Sequence, residues 1–590
     1  MCGIAGYLFK SGARLSESHL EGLTQGAVQT MHHRGPDGHG VHTEEGALLI
    51  HTRLSILDVE HGDQPLWSQC GRYVLIGNGE IYNYKDLQKE LSQKDIACKT
   101  GSDCEPVVHL FAELGAEVFH KLRGMYALAI YDTQEKTLTL ARDAFGIKPL
   151  YIAETGLGVG FASEPNVFLA SGWVKRQLND EKLSEALVQN WTGGKETLFK
   201  GIQRLSPGEV LTLKDGKVIE SSIIPALSTA PYDATMDEAL DAFDNIFMES
   251  VEKHMQSDVP FGVYLSGGVD SSAVTTAMAE HEKQVNSFSV GFDSNDVPDE
   301  TGLAEEVADA LGANHQNISF SEEDFWKYLP VMVQHMDDWC SDYAILPVLK
   351  LSEFASQHVT VVLSGEGGDE FFAGYSRYRK PFWKGLFKKQ KNDSQRFPAL
   401  FKNEIQLQKS DAPMELDSLQ KKQWQDITGW LPHDLLLKLD RSLMAYGLEG
   451  RVPFVDKQVS NFGFSLARHL KMKGKVGKLL VKTWLSHVVA GKFSKGGYLT
   501  FKESLFGKKR GFSVPIAHWL SNRTENLSQY FKSSEWLENY IERSELEKWL
   551  SAGKLSQKQA LVVFRLLSLC LWYDVHIANK GYPEMLKKEG

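Results

Sequence analysis

Two rhythms of apolar and polar positions run along the chain. Over roughly the first 220 residues, short apolar runs alternate with Gly, Pro, Asn and Asp, a pattern that predicts strands joined by turns. GIAGYLF, GALLIHTRLSILDV, RYVLIGNGEIYN and LTLARDAFGIKPLYIA read as strands, and EPVVHLFAELGAEVF as a helical interruption. The strands end in GEVLTLKDGKVIE, where Asp215-Gly216 is a hairpin signal. Small residues and a proline at 226–236 then read as a linker.

From Met236 the period changes. Leu240, Phe243, Phe247 and Val251 share one face of a predicted helix. VPFGVYL follows as a buried strand, then a glycine turn and the helix DSSAVTTAMAEH. VNSFSVGF is a second strand, and LAEEVADALG a helix with Leu303, Val307 and Leu311 on one stripe and Gly312 as its stop. HVTVVLSGEGGDE repeats the step from β-branched strand to glycine turn. Such alternation predicts a parallel sheet under helices, with ligands at the carboxyl ends of the strands. The remainder reads as mainly helical.

Composition narrows the class. A chain of 590 residues is too long for one core, so two or more domains are expected. A net charge of −12 with both signs scattered argues against a nucleic-acid partner. An anionic substrate then needs local cations or a metal. The six cysteines are scattered and form no CxxC pair, which fits a reducing, cytoplasmic setting and argues against a structural zinc. Apolar runs such as MYALAIY are too short to cross a bilayer, so no membrane association is expected.

Cys2 directly follows the initiator methionine. Removal of Met1 would give this cysteine a free α-amine, able to take the proton of its own thiol without a separate histidine. A buried, inert cysteine is the commoner case, but other groups stand at interpretable positions. Arg53 on a strand edge suits an α-carboxylate, and Asp103 in a loop suits an α-ammonium. Asn78 and Gly79 at a turn suit an oxyanion. Together these suit an amino-acid substrate.

LSGGVDSS (265–272) lies between a strand and a helix. Its glycines let backbone N–H groups close on phosphate, and Ser266, Ser271 and Ser272 add hydroxyls at a helix N-terminus. The ending of a Walker A loop is absent. Asp270 would repel a phosphate, which implies a Mg²⁺ between them. LSGEGGDE (363–370) echoes the turn and ends in Asp369, so both acidic turns could share one ion.

These motifs carry a resemblance. Residues 1–225 resemble a class II, N-terminal-nucleophile glutamine amidotransferase domain, which implies an αββα sandwich of antiparallel sheets. It also implies glutamine hydrolysis through a thioester on Cys2, with Arg53, Asn78, Gly79, Glu80 and Asp103 binding glutamine. Residues 236–590 are similar to the PP-loop ATP pyrophosphatase fold, which cleaves ATP between its α and β phosphates. DRSLMAYGLEGRVPFVD (440–456) and KKRGFSVPIAHWL (508–520) resemble the glutamine-hydrolysing asparagine synthetase family. That resemblance implies an α/β parallel-sheet domain with a mainly helical C-terminal part. Ser266, Gly267, Gly268, Asp270, Ser271 and Ser272 would bind ATP pyrophosphate. Val290, Ser364 and Gly365 would flank the adenosine, and Asp369 would join the Mg²⁺. Glu366 would lie near the reacting centre, and Lys509, or Lys508, would neutralise phosphate charge. It further implies an apolar ammonia channel, with Met125 a candidate lining residue, and a homodimer.

Gly450, Val455, Asn166 and the long stretch 490–512 depart from the commonest family pattern, near the acceptor side. The resemblance implies aspartate as the acceptor, and these departures point to the alternative, another carboxylate. A non-catalytic binding protein is the reading from a different class.

Overall fold

The computed structural model describes residues 2–13, 15–293, 301–379, 391–407, 412–507 and 514–586; Lys508 and Lys509 lie outside them. Two six-stranded sheets form the N-terminal part. In the first the order is Gln203–Arg204, Tyr151–Thr155, Gly158–Ala162, Gly3–Phe9, Ala47–Arg53, Gly38–Glu44. In the second it is Lys217–Ile223, Glu209–Lys214, Thr137–Arg142, Gly124–Asp132, Tyr73–Ile81, Leu66–Trp67. Their ladders are antiparallel. Ile4, Leu8 and Leu49 from one inner face meet Ile76, Ala129 and Leu140 from the other. The outer faces are covered by helices: Glu17–Thr30 on the first sheet, Tyr84–Ser92 and Glu105–Leu114 on the second. This is the expected αββα sandwich. Asp215 and Gly216 both have positive φ (51° and 63°), as a tight hairpin requires.

Two of the expected strands are shorter than the apolar pattern suggested. GALLIHTRLSILDV leaves the sheet after Arg53. LTLARDAFGIKPLYIA splits into Thr137–Arg142 and Tyr151–Thr155 because the buried Asp143 carboxylate gathers the N–H groups of Phe145, Ile147 and Lys148 into a turn. Local side-chain capping of the backbone outweighs strand propensity there.

The second part holds a five-stranded parallel sheet in the order Asn314–Phe320, Asn286–Phe292, Phe261–Tyr264, Val361–Leu363, Glu449–Arg451. Helix Met236–His254 starts with a Thr235–Glu238 capping box and buries Leu240, Phe243, Phe247 and Val251 as predicted. Helix Thr301–Leu311 stops at Gly312, whose φ is +68°. The linker lies along helix Lys457–Ser465, where the Ser228 N–H donates to Asn461 Oδ1.

One expectation needs correction. The segment Gln557–Ile577 is long and apolar enough to cross a membrane, although no run in it reaches that length without polar interruptions. Most of it is buried inside the protein: Phe564, Leu567, Leu569 and Leu571 enter the same core as the outer face of the first sheet. Its apolarity therefore reflects contact with protein on every side.

Candidate active sites

Cys2 opens the strand Gly3–Phe9 at the edge of a small cavity. Arg53, Gly79, Glu80, Asp103, His51 and Glu449 also line it. The fold thus brings Cys2 and its expected glutamine-binding groups together from four separate segments. The Cys2 backbone nitrogen lies 3.2 Å from Asn78 Oδ1, and its carbonyl accepts from Arg34 Nε at 3.2 Å. Burial raises the Cys2 thiol pKa, while the terminal ammonium and a backbone hydrogen bond at Leu54 oppose the rise.

Asn78 is fully buried, and its Nδ2 has no hydrogen-bond partner among the described residues. A buried amide donor without an acceptor is costly unless a ligand supplies one. It therefore fits a place reserved for a developing oxyanion. Gly79 has φ +151°, and a Cβ there would stand 2.0 Å from the Met125 carbonyl oxygen, so only glycine fits this turn. Asn78→Ala is expected to lower kcat for glutamine hydrolysis about 10²–10³-fold and to leave synthesis from added ammonia unchanged. Steady-state assays with each nitrogen source check this.

Arg53 is tied to the loop beside it. Its Nη1 donates to Asp63 Oδ1 at 2.9 Å and its Nη2 to the Asp58 carbonyl at 2.6 Å. Asp103 accepts from the Ile81 N–H at 2.6 Å, and burial lifts its pKa to about 6. Above that value the carboxylate is charged and can hold an ammonium; below it the charge is lost. KM for glutamine is therefore expected to rise by about tenfold per pH unit below about 6, whereas a flat KM down to pH 5 would rule out this role for Asp103. His51, pushed down to about 3 by burial and by Arg53, stays neutral throughout.

Glu80, which lines the cavity, also pairs with the second part of the chain. Its Oε1 lies 3.0 Å from Arg451 Nη2. The Arg451 Nε donates to Glu449 Oε1 at 2.6 Å, and the guanidinium also reaches the His254 and Gln256 carbonyls. Glu449 stands closer to the shared guanidinium than Glu80 does. Burial disfavours the charge on both, yet the terminal ammonium and Arg451 bring Glu449 below its ordinary pKa, while Glu80 stays above its own. Sequence reasoning missed Glu449 and Arg451, which reach the cavity from the far edge strand of the parallel sheet.

The two glycine turns meet at the carboxyl ends of adjacent parallel strands. The Ser266 N–H and hydroxyl both contact Ser271 Oγ at 3.1 Å, and Ser271 Oγ donates to the Gly268 carbonyl. Gly268 begins helix Val269–His281 with no side-chain cap, leaving the helix N-terminus to a ligand. Gly267 has φ +68°, and Ser272 Oγ is buried without a partner among the described residues. Gly365 packs against the Asp270–Ser271 backbone, where a Cβ would lie 2.7 Å from Ser271 N. The Ser364 N–H donates to the Arg451 carbonyl at 2.8 Å. Val290 is half-buried on the neighbouring strand. Glu366 is raised above its ordinary pKa by burial, with Lys438 opposing.

Asp270 and Asp369 converge on one cation, the ammonium of Lys478: Nζ contacts Asp270 Oδ2 and lies 2.7 Å from Asp369 Oδ1. Lys482, one helical turn further on, is lowered to about 8 by burial and by the nearby Lys478 and Arg379 charges. Neither lysine was singled out from sequence. The carboxylate oxygens, gathered around the Lys478 ammonium, suit a hard divalent ion such as Mg²⁺.

Between the sites, Leu54, Ile56, Tyr82, Met125, Phe145 and Ile147 join the apolar core of the parallel-sheet part. Buried ion pairs cross the same boundary: Arg34 with Asp440 at 2.9 Å and Arg123 with Asp456 at 2.7 Å.

Comparison with known proteins agrees with this division. Residues 242–574 match the asparagine synthase family model, and residues 1–223 match the glutamine amidotransferase domain model. Asparagine synthetase (glutamine-hydrolyzing) 1 of Bacillus subtilis (strain 168) is 30% identical, covering 100% of this chain and 99% of its own length. Asparagine synthetase (glutamine-hydrolyzing) 3 of Arabidopsis thaliana is 30% identical over 90% of this chain and 82% of its own. That of Sandersonia aurantiaca is 29% identical over 83% and 82%. Matched by a family model over more than half its length and by a bacterial relative from end to end, the chain belongs to the asparagine synthase family, as a glutamine-hydrolysing carbon–nitrogen ligase.

Proposed function

We propose that the chain converts L-aspartate, ATP and glutamine into L-asparagine, AMP, pyrophosphate and glutamate. Residues 1–225 act as the glutaminase and residues 236–590 as the adenylating synthetase. The observation that carries the reading is the convergence of Cys2, Asn78, Gly79, Arg53 and Asp103 on one cavity, joined by an apolar cluster to the part that bears both acidic glycine turns.

With Met1 removed, the Cys2 amine takes the thiol proton and the thiolate attacks the γ-carboxamide carbon of glutamine. The oxyanion that forms receives hydrogen bonds from Asn78 Nδ2 and the Gly79 N–H. The amine returns its proton to the leaving ammonia, and water then releases glutamate from the thioester. Arg53 and Asp103 hold the substrate's α-carboxylate and α-ammonium. Ammonia crosses the apolar cluster around Met125, where it stays neutral because an ammonium ion would be poorly solvated.

In the synthetase the β-carboxylate of aspartate attacks the α-phosphorus of ATP, pyrophosphate leaves, and β-aspartyl-AMP forms. Ser266, Gly267, Gly268, Ser271 and Ser272 bind the pyrophosphate portion; Val290, Ser364 and Gly365 flank the adenosine. Asp270 and Asp369 would hold a Mg²⁺, which would supply charge neutralisation for the phosphates. Ammonia attacks the acyl carbon and AMP leaves, with Glu366 taking the excess proton and Lys509 neutralising charge on phosphate.

The test is pyrophosphate release with glutamine, ATP and Mg²⁺, adding carboxylates one at a time. Release with aspartate and with no other candidate supports the reading. Glutamate formed without pyrophosphate in the presence of aspartate assigns the machinery to another acceptor. Production of ADP and orthophosphate would refute adenylation.

A further inference from the structure

Lys478 stands where the two acidic turns meet. Its side chain is 5% exposed, and its ammonium bridges Asp270 and Asp369, which approach from different strand ends. The backbone is bent to deliver it: Lys478 has φ 52° and ψ 38°, a left-handed conformation that side-chain-bearing residues adopt at a cost, directly before helix Leu479–Val488. Neighbouring glycines leave room for the contact. A Cβ on Gly374 would lie 1.7 Å from Asp369 Oδ1 and 2.4 Å from Lys478 Cε, and one on Gly368 would lie 2.3 Å from Asp270 Oδ1. Two buried carboxylates facing each other would repel without a cation between them.

We propose that Lys478 is a built-in cation that holds the two acidic turns together before nucleotide arrives, and that it yields this position to the divalent metal when the metal–triphosphate binds. The displaced ammonium is left beside the phosphates, where it remains a favourable charge. Nucleotide-free enzyme therefore discriminates against metal alone, because an entering ion must first displace a covalently tethered competitor. The inference rests on Asp270 and Asp369 being the metal ligands and is independent of which carboxylate is amidated.

The test uses the full-length chain without nucleotide and Mn²⁺ alone as the probe, with free Mn²⁺ followed by electron paramagnetic resonance and stability by thermal melting. Lys478→Met is expected to bind Mn²⁺ at least about tenfold more tightly than wild type, and Lys478→Arg to bind like wild type. Adding Asp369→Asn to Lys478→Met should remove the gain. The Met variant should melt lower than wild type without metal and recover with it. Equal Mn²⁺ affinity in wild type and Lys478→Met, or a gain that survives Asp369→Asn, overturns the proposal. A Lys478→Met chain that is unfolded both with and without metal also overturns it, because the lysine would then not be exchangeable for an ion. Failure of the aspartate reading would appear in the pyrophosphate assay instead and leave these measurements untouched.

Discussion

Cys2→Ala is expected to reduce glutamine-dependent synthesis and glutamine hydrolysis by about 10⁴-fold or more, because among the described residues Cys2 is the only thiol that lines the cavity. Synthesis from added ammonia should persist near the wild-type rate. The nucleophile lies on the first strand of the sandwich, while the acidic glycine turns lie on a separate parallel sheet. The two assays must be run side by side, with glutamate and pyrophosphate measured separately. Equal loss of both nitrogen sources would mean that Cys2 supports the fold rather than the chemistry. Intact mass belongs in the same experiment: active enzyme that retains Met1 would leave the proposed amine base without a role.

Arg451→Met should give the largest stability loss. This guanidinium is fully buried and serves Glu449 and Glu80 as well as two backbone carbonyls. Removing it leaves two buried carboxylates without their cation, a change that costs about 3–5 kcal/mol. A clear fall in melting temperature is expected, with a raised KM for glutamine in the surviving protein. The Arg451 carbonyl that accepts from Ser364 is a backbone group and survives the substitution, so ammonia-dependent turnover by the folded fraction should be retained. An unchanged melting curve would show that the pair of acids is neutral and the network weak.

The parts of the molecule legible in the sequence are those whose chemistry is local. Strand–glycine turn–helix at 261–281 and strand–glycine turn at 361–369 carry their meaning in consecutive residues, and the structure joins their ends. The grouping of Arg53, Gly79, Glu80 and Asp103 around Cys2 was also legible, because each lies in a short segment whose residue types suggest one substrate. What stayed hidden depends on long-range contact. Glu449 and Arg451 fall in a stretch that reads as mainly helical, and their strand and its contact with Glu80 exist only through the parallel sheet. Lys478 belongs to a run, KVGKLLVK, that reads as a helix start, and only the tertiary fold aims it at two aspartates. Arg34 stands in the turn HHRGPDG, a setting that suggests exposure, yet it is wholly buried between Glu164 and Asp440. Burial of a charge is decided by what packs over it, and that information lies elsewhere in the chain.

The helix Gln557–Trp572 has a consequence for biogenesis. It packs near the sandwich, where Trp572 meets Phe199 at 4.8 Å and Arg565 Nε donates to Asn190. Chain elongation makes this helix long after the first strand has emerged. A chain lacking it leaves an apolar flank of the sandwich uncovered, so the first part of the molecule is completed by a segment of the second.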